Sequence, residues 1–164
     1  MLKVAQLNAL AAPEFCRTLA PVFEHSPWIV ARAESKRPFT DREDLDAALR
    51  ETVMKATGEE KLALIRAHPD LVGRELLTRE SKSEQATAGL AELLPQEIDQ
   101  FRNYNAQYRE RFAFPFVICA RLNKKEAILD AFKVRLQNSK EQEMNTALQE
   151  IFKIAALRLR DLIE

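Results

Sequence analysis

The chain has 164 residues, 46% apolar and 30% charged, with 25 basic and 25 acidic side chains and a formal net charge of zero. This composition excludes an intrinsically disordered chain, and the charge balance leaves no basic footprint for nucleic acid. No apolar run approaches the roughly 20 residues of a membrane-spanning helix, and three glycines do not build a glycine-rich phosphate cradle.

Taken in order, nearly every segment reads as helix. Pro13 to Leu19 opens with proline at its first position, with Phe15, Leu19 and Val22 on one side. Ser26-Pro27-Trp28 starts a second helix, capped by Ser26, and residues 35–38 connect it to the next. Thr40 and Glu43 have capping-box spacing ahead of Leu45, Ala48, Leu49, Thr52 and Val53. Thr57 and Glu60 form a second such box, and that helix stops at His68, directly before Pro69. Asp70 to Gly73 is a turn. A helix follows from the Thr78 to Gln85 stretch to about Gly89. A long one begins at Leu94-Pro95 and aligns Ile98, Phe101, Asn105 and Tyr108. Phe114-Pro115-Phe116-Val117-Ile118-Cys119 breaks the pattern: apolar, β-branched, aromatic and interrupted by proline, it fits a buried extended segment or the start of a helix. Asn123 and Ser139 cap the last two helices. The expected class is all-α, a compact single-domain bundle of about eight helices spanning residues 1–164, with one short irregular apolar segment.

The informative residues are those a helical bundle does not need. His68 is one of two histidines. The residue before a proline is driven out of the helical region, so its imidazole projects from a helix end, flanked by Arg66, Asp70 and Arg74. It is either a capped helix terminus or a positioned acid/base group. On the last helix, Met144, Leu148, Ile151, Ala155 and Leu162 mark the apolar stripe. At roughly 100° per residue, Arg158 falls on that inward face and Arg160 opposite it, with Lys153. An inward guanidinium requires either a protein carboxylate or a bound anion. Glu84 completes a Ser81-Lys82-Ser83-Glu84 capping box or faces a cavity. The Phe114 to Ala120 segment fills core or lines a pocket with its peptide groups. Cys119 is a weak nucleophile, with nothing nearby in sequence to lower its pKa. His25 reads as a surface residue at a helix boundary. Two widely spaced cysteines fit reduced thiols, and no zinc-ligand spacing is present. Neither a signal-peptide core nor a peroxisomal tripeptide is evident, so the expected location is cytoplasmic.

Five stretches resemble one family. Ala67-His68-Pro69-Asp70-Leu71-Val72-Gly73-Arg74 resembles an HPDL(A/V)G(R/K) signature, and residues 80–90 an ESxxEQxxAGL segment. Tyr108 to Ala120 resembles YxxRFGFPFVICA, with Ala113 where glycine is common. Arg135-Leu136-Gln137-Asn138 resembles RLxN, and residues 154–162 contain an LRLxDL element. The family is 2-oxo-4-hydroxy-4-carboxy-5-ureidoimidazoline (OHCU) decarboxylase, of urate breakdown. The resemblance implies an all-α homodimer and cofactor-free decarboxylation of an anionic ureidoimidazoline to (S)-allantoin and CO2. It implies catalytic roles for His68, Glu84 and Arg158. It implies substrate contacts at Pro69, at Ser81, Lys82, Ser83, Glu84 and Gln85, and at Phe116, Val117, Ile118, Cys119 and Ala120. No metal, nucleic acid or membrane partner is expected. Two other readings fit the same residues: a helical interaction module with Arg158 in an internal ion pair, and hydrolysis of a related ureide.

Overall fold

A computed structural model describes residues 1–73 and 77–164; Arg74, at the end of the His68 stretch, lies outside them. Among the described residues there are nine α-helices: α1 (Val4–Ala9), α2 (Ala12–Leu19), α3 (Pro27–Glu34), α4 (Arg42–Met54), α5 (Gly58–Arg66), α6 (Arg79–Thr87), α7 (Pro95–Phe112), α8 (Lys125–Arg135) and α9 (Lys140–Leu162). Two 3-10 turns, Ala20–Phe23 and Ala120–Leu122, join them. The all-α class is as expected, and α1 is the helix the sequence pattern did not announce. None of these helices is long and apolar enough to cross a membrane.

Short polar side chains cap α4, α5, α6 and α9, though not always the ones expected, and Ser26 makes no side-chain cap bond at α3. The Thr57–Glu60 box forms with both bonds at 3.1 Å, and Ser139 caps α9 by accepting from the Gln142 N–H at 3.1 Å. Helix α4 is capped by Asp41, which accepts from the Asp44 N–H at 2.8 Å. Thr40 instead donates its own N–H to Asp44. A carboxylate is the stronger acceptor at a helix N-terminus, and it takes the cap from its neighbour. Helix α6 is capped by Thr78, which accepts from the Ser81 N–H at 3.2 Å. Ser81 therefore sits inside the helix, and Glu84 is not a capping residue. Asn123 does not cap α8; its amide donates to the Cys119 carbonyl at 2.9 Å.

The chain packs as two units. The first, Met1–Ala67 with Phe152–Glu164, holds α1 to α5 and the C-terminal part of α9. Its core includes Leu7, Phe15, Leu19, Ile29, Leu45 and Leu49, all essentially inaccessible. A parallel bridge joins Leu2 to Ile163, through Leu2 N–H to Leu162 O and Glu164 N–H to Leu2 O, each 2.9 Å.

The second unit, His68–Ile151, holds α6 to α8 and the first part of α9. Its core is aromatic. Tyr108 packs against Phe112, Phe114 and Phe116 with ring centroids 4.6, 5.9 and 5.3 Å away. Phe116 stacks on Phe132 at 3.7 Å. Helix α7 ends at Ala113 in the left-handed region, φ 61°, which turns the chain sharply. Pro115 then keeps it from re-entering a helix, and residues 115–119 run without regular structure. Its side chains fill the core, as one of the two sequence readings expects, and its backbone lies outside any ladder.

Candidate active site

Within the second unit, three sequence-distant stretches meet. The first is the turn after α5. Pro69 follows half-buried His68, and Asp70 accepts from Arg109 Nε on α7 at 3.0 and 3.1 Å. The buried Leu71 carbonyl accepts from the Asn105 amide at 2.7 Å. Val72, with φ 56°, adopts a conformation that β-branched residues rarely take, and its N–H donates to Gln85 Oε1 at 3.2 Å. That last bond ties the turn to the second stretch, α6.

On α6, Ser81 and Gln85 lie one turn apart and are buried, at 7% and 8% exposure. Glu84 beside them is half-buried, whereas Lys82 and Ser83 face outward and are exposed. Helix α6 packs against the 3-10 turn Ala120–Leu122. The Ala88 carbonyl after it accepts from the Lys125 N–H at 3.1 Å.

The third stretch is Phe116 to Ala120, buried throughout. Its carbonyls at Val117 and Cys119 are held, by Arg135 Nη1 at 2.7 Å and Asn123 Nδ2 at 2.9 Å. The Cys119 N–H donates to Glu150 Oε2 at 3.4 Å. Neither the N–H nor the C=O of Ile118 meets a hydrogen-bonding group among the described residues. Buried main-chain groups are almost always paired, so an N–H and a C=O without a partner among the described residues, on a residue at 6% exposure, are an exception that a ligand's amide edge would satisfy. Burial pushes the Cys119 thiol above its ordinary range, and the negative charges of Glu150 and Glu84 add to that shift. Cys119 is accordingly a poor nucleophile, and Glu84 is close enough to this segment to act on it electrostatically.

Arg158 lies in the first unit. It is buried at 4% exposure, as its place on the apolar stripe predicts, while Arg160 and Lys153 are exposed. Its guanidinium donates to Glu24 Oε1 at 2.5 Å and to the Pro21 carbonyl at 3.1 Å. The protein carboxylate that an inward arginine requires is thus Glu24. His25, exposed with φ 59°, is the surface residue it was expected to be.

The sequence pattern did not single out a buried charged cluster in the second unit. Glu143, in the second unit and fully inaccessible, accepts through Oε1 from the Tyr108 O–H at 2.5 Å and Arg135 Nε at 2.7 Å. Its Oε2 accepts from Asn138 Nδ2 at 2.9 Å. The Arg135 guanidinium lies 4.2 Å from the Phe116 ring centroid. Burial, and then the Glu143 carboxylate, push the Tyr108 phenol well above its ordinary range. Among the described residues, no group of three His, Cys, Asp or Glu side chains converges to hold a metal ion.

Comparison with known proteins adds the family. The OHCU decarboxylase profile matches residues 8–160, running through both units. A 2-oxo-4-hydroxy-4-carboxy-5-ureidoimidazoline decarboxylase of Amia calva is 44% identical over 165 residues, covering 97% of this chain and 93% of that protein. Among solved structures, that of an (S)-allantoin synthase superposes with a TM-score of 0.81 and 28% identity, covering all of this chain and 54% of that one. An OHCU decarboxylase crystallised in the presence of (S)-allantoin superposes with a TM-score of 0.74 and 25% identity, covering 88% of this chain and 96% of that one. By the extent of these matches and their agreement across the whole helical fold, the chain belongs to the OHCU decarboxylase family.

Proposed function

We propose that this protein decarboxylates OHCU to (S)-allantoin and CO2 in urate breakdown, with no cofactor. The observation that carries this reading, beside the family, is the N–H and C=O of Ile118, which meet no partner among the described residues, in a buried segment next to α6, whose Gln85 is bonded to the turn after His68.

The substrate supplies its own electron sink. Its carboxylate sits on a ring carbon adjacent to a C=N bond. When the C–CO2 bond breaks, its electron pair forms the C=C of an enol-like intermediate and displaces the C=N pair onto the imine nitrogen, which takes up a proton. The enol proton then departs, and the ureido-bearing carbon is protonated on one face. Such chemistry needs a dry pocket and one acid/base group held on a single side, worth about 10²–10⁴-fold. We assign that group to His68, whose backbone is fixed by Pro69. Glu84 orients the imidazole or accepts from the ureido N–H groups. Ser81 and Gln85 present polar atoms from the buried face of α6, with Lys82 and Ser83 in the same stretch. The backbone of Phe116, Val117, Ile118, Cys119 and Ala120 reads the amide edge of the ring. Arg158 is assigned a catalytic role by the family resemblance. A tight ion pair with the departing carboxylate would stabilise the ground state and oppose its loss, so a ring or ureido oxygen is the better target for this cation. We further propose a cytoplasmic homodimer.

The decisive experiment adds purified protein to freshly generated OHCU and follows the product by chiral detection. Faster appearance of (S)-allantoin than spontaneous racemic decay is the expected result. Racemic product or no acceleration overturns the reading. His68→Asn is expected to abolish turnover with helical content intact, and full activity in that variant removes the acid/base assignment.

A further inference from the structure

The RLxN element has no task in the mechanism above, yet its arginine is tied down at both ends of its guanidinium. Arg135 is buried at 6% exposure. One arm donates to Glu143 at 2.7 Å and another to the Val117 carbonyl, also at 2.7 Å. Glu143 in turn is held by Tyr108 and Asn138, so the guanidinium has little freedom to rotate. A planar trans peptide points its C=O and N–H in opposite directions, and the Val117–Ile118 bond is not among the cis bonds of this chain. Fixing the Val117 oxygen on Arg135 therefore fixes the Ile118 N–H in the opposite direction. That N–H is the open donor of the site. Core packing alone would not set it, because the Phe116 and Phe132 rings constrain side chains and leave peptide rotation to be settled by hydrogen bonds.

We propose that Arg135, locked by Glu143 and Tyr108, is a positioning residue that aims the Ile118 N–H at the amide edge of the substrate ring. The proposal rests on the decarboxylase reading for the identity of the ring. The aiming itself is a property of the free protein.

Two measurements test it on the full-length chain. The first compares amide spectra of ¹⁵N-labelled wild type and Arg135→Lys, with (S)-allantoin as the probe. Lysine keeps the charge beside Glu143 but lacks the fork that reaches both Glu143 and Val117. The expected result is a displaced Ile118 resonance in the free variant and a smaller response of that resonance to (S)-allantoin. The second is steady-state turnover of OHCU. Misaiming the Ile118 N–H weakens a hydrogen bond made to the substrate before and during reaction alike. It therefore raises KM by about tenfold and leaves kcat within about threefold, since uniform binding is what is removed. General loosening of the fold lowers the active fraction and kcat without that split. Tyr108→Phe, which keeps Arg135 and Glu143 and removes the hydroxyl that donates to Glu143 and accepts a long 3.5 Å bond from Arg135, is expected to move both readouts in the same direction by less. It decides the matter if Arg135→Lys does not fold. An unchanged Ile118 resonance, or a KM equal to wild type in a folded variant, overturns the proposal. If wild type does not accelerate OHCU decay, the decarboxylase reading fails, and the amide spectra alone judge whether Arg135 aims the peptide.

Discussion

The Val72 N–H donates to the side-chain carbonyl of Gln85 at 3.2 Å, and this bond joins the turn after His68 to helix α6. Val72 holds a left-handed backbone, φ 56°, so Gln85 stabilises a turn with intrinsic strain. Gln85→Ala removes the acceptor. It is expected to cost about 1 kcal/mol of stability and to lower kcat/KM by roughly 10- to 100-fold through misplacement of His68. Gln85→Glu retains an acceptor for the Val72 N–H and is expected to recover the stability. Urea denaturation alongside the OHCU assay checks both.

Arg158 and Arg160 stand two residues apart and differ completely in environment. Arg158→Ala leaves Glu24 as a buried carboxylate without its guanidinium, a loss expected to cost about 3–5 kcal/mol. Arg160→Ala, at an exposed position, is expected to stay within about 0.5 kcal/mol of wild type. Equal denaturation midpoints for the two variants would contradict the burial assigned to Arg158. Activity of Arg158→Ala is best measured at low temperature, where the folded fraction is highest, so that lost catalysis is separated from lost fold.

Ala113 terminates α7 with φ 61°, a conformation that costs an L-residue roughly 1–2 kcal/mol and glycine almost nothing. Ala113→Gly is therefore expected to raise stability by about 1 kcal/mol, the usual worth of relieving a left-handed helix end. A calorimetric Tm below that of wild type would show that the Ala113 methyl group contributes more than its backbone strain costs.

Tyr108 resists ionisation by base. Tyr108 is raised by burial and by its bond to Glu143. A phenol whose folded pKa exceeds its unfolded value of about 10 contributes stability that is complete below that value and is lost as pH climbs toward the folded pKa. Alkaline titration followed at the phenolate band is expected to show Tyr108 ionising only together with unfolding, and Tyr108→Phe is expected to delete that step. Ionisation of Tyr108 in a protein that keeps its near-ultraviolet dichroism would contradict it.

Much of this arrangement is legible in the residues themselves. Helical spacing locates the long helices, the proline after His68 marks a helix end, and the phase of Arg158 on α9 predicts its burial. Helix starts are less legible because neighbouring short polar residues compete for one cap. Thr40 against Asp41, and Thr78 against Ser81, differ only in which side chain reaches the free N–H groups. That competition also hides the status of Glu84, since a Ser81 cap would make its carboxylate part of a helix start. The same phase argument that isolates Arg158 applies to Arg135, three residues after Phe132, and to Glu143, four before Ala147. Glu143 is concealed by its place in the first turn of α9, where acidic side chains are favoured by the helix dipole and need no other explanation. The extended path of residues 115–119 is ambiguous in sequence because a buried strand-like run and a buried helical turn have the same apolar composition. The left-handed step at Ala113 decides between them.

The bridge between Leu2 and Ile163 places these two sequence-distant residues on adjacent backbone paths. Topologically the polypeptide is close to a closed ring. A linker of a few residues would join its ends, and the order of the helices along the chain could then be cut afresh at an exposed loop without altering which helices touch. What the fold requires is the circular order of its elements, wherever that circle is cut.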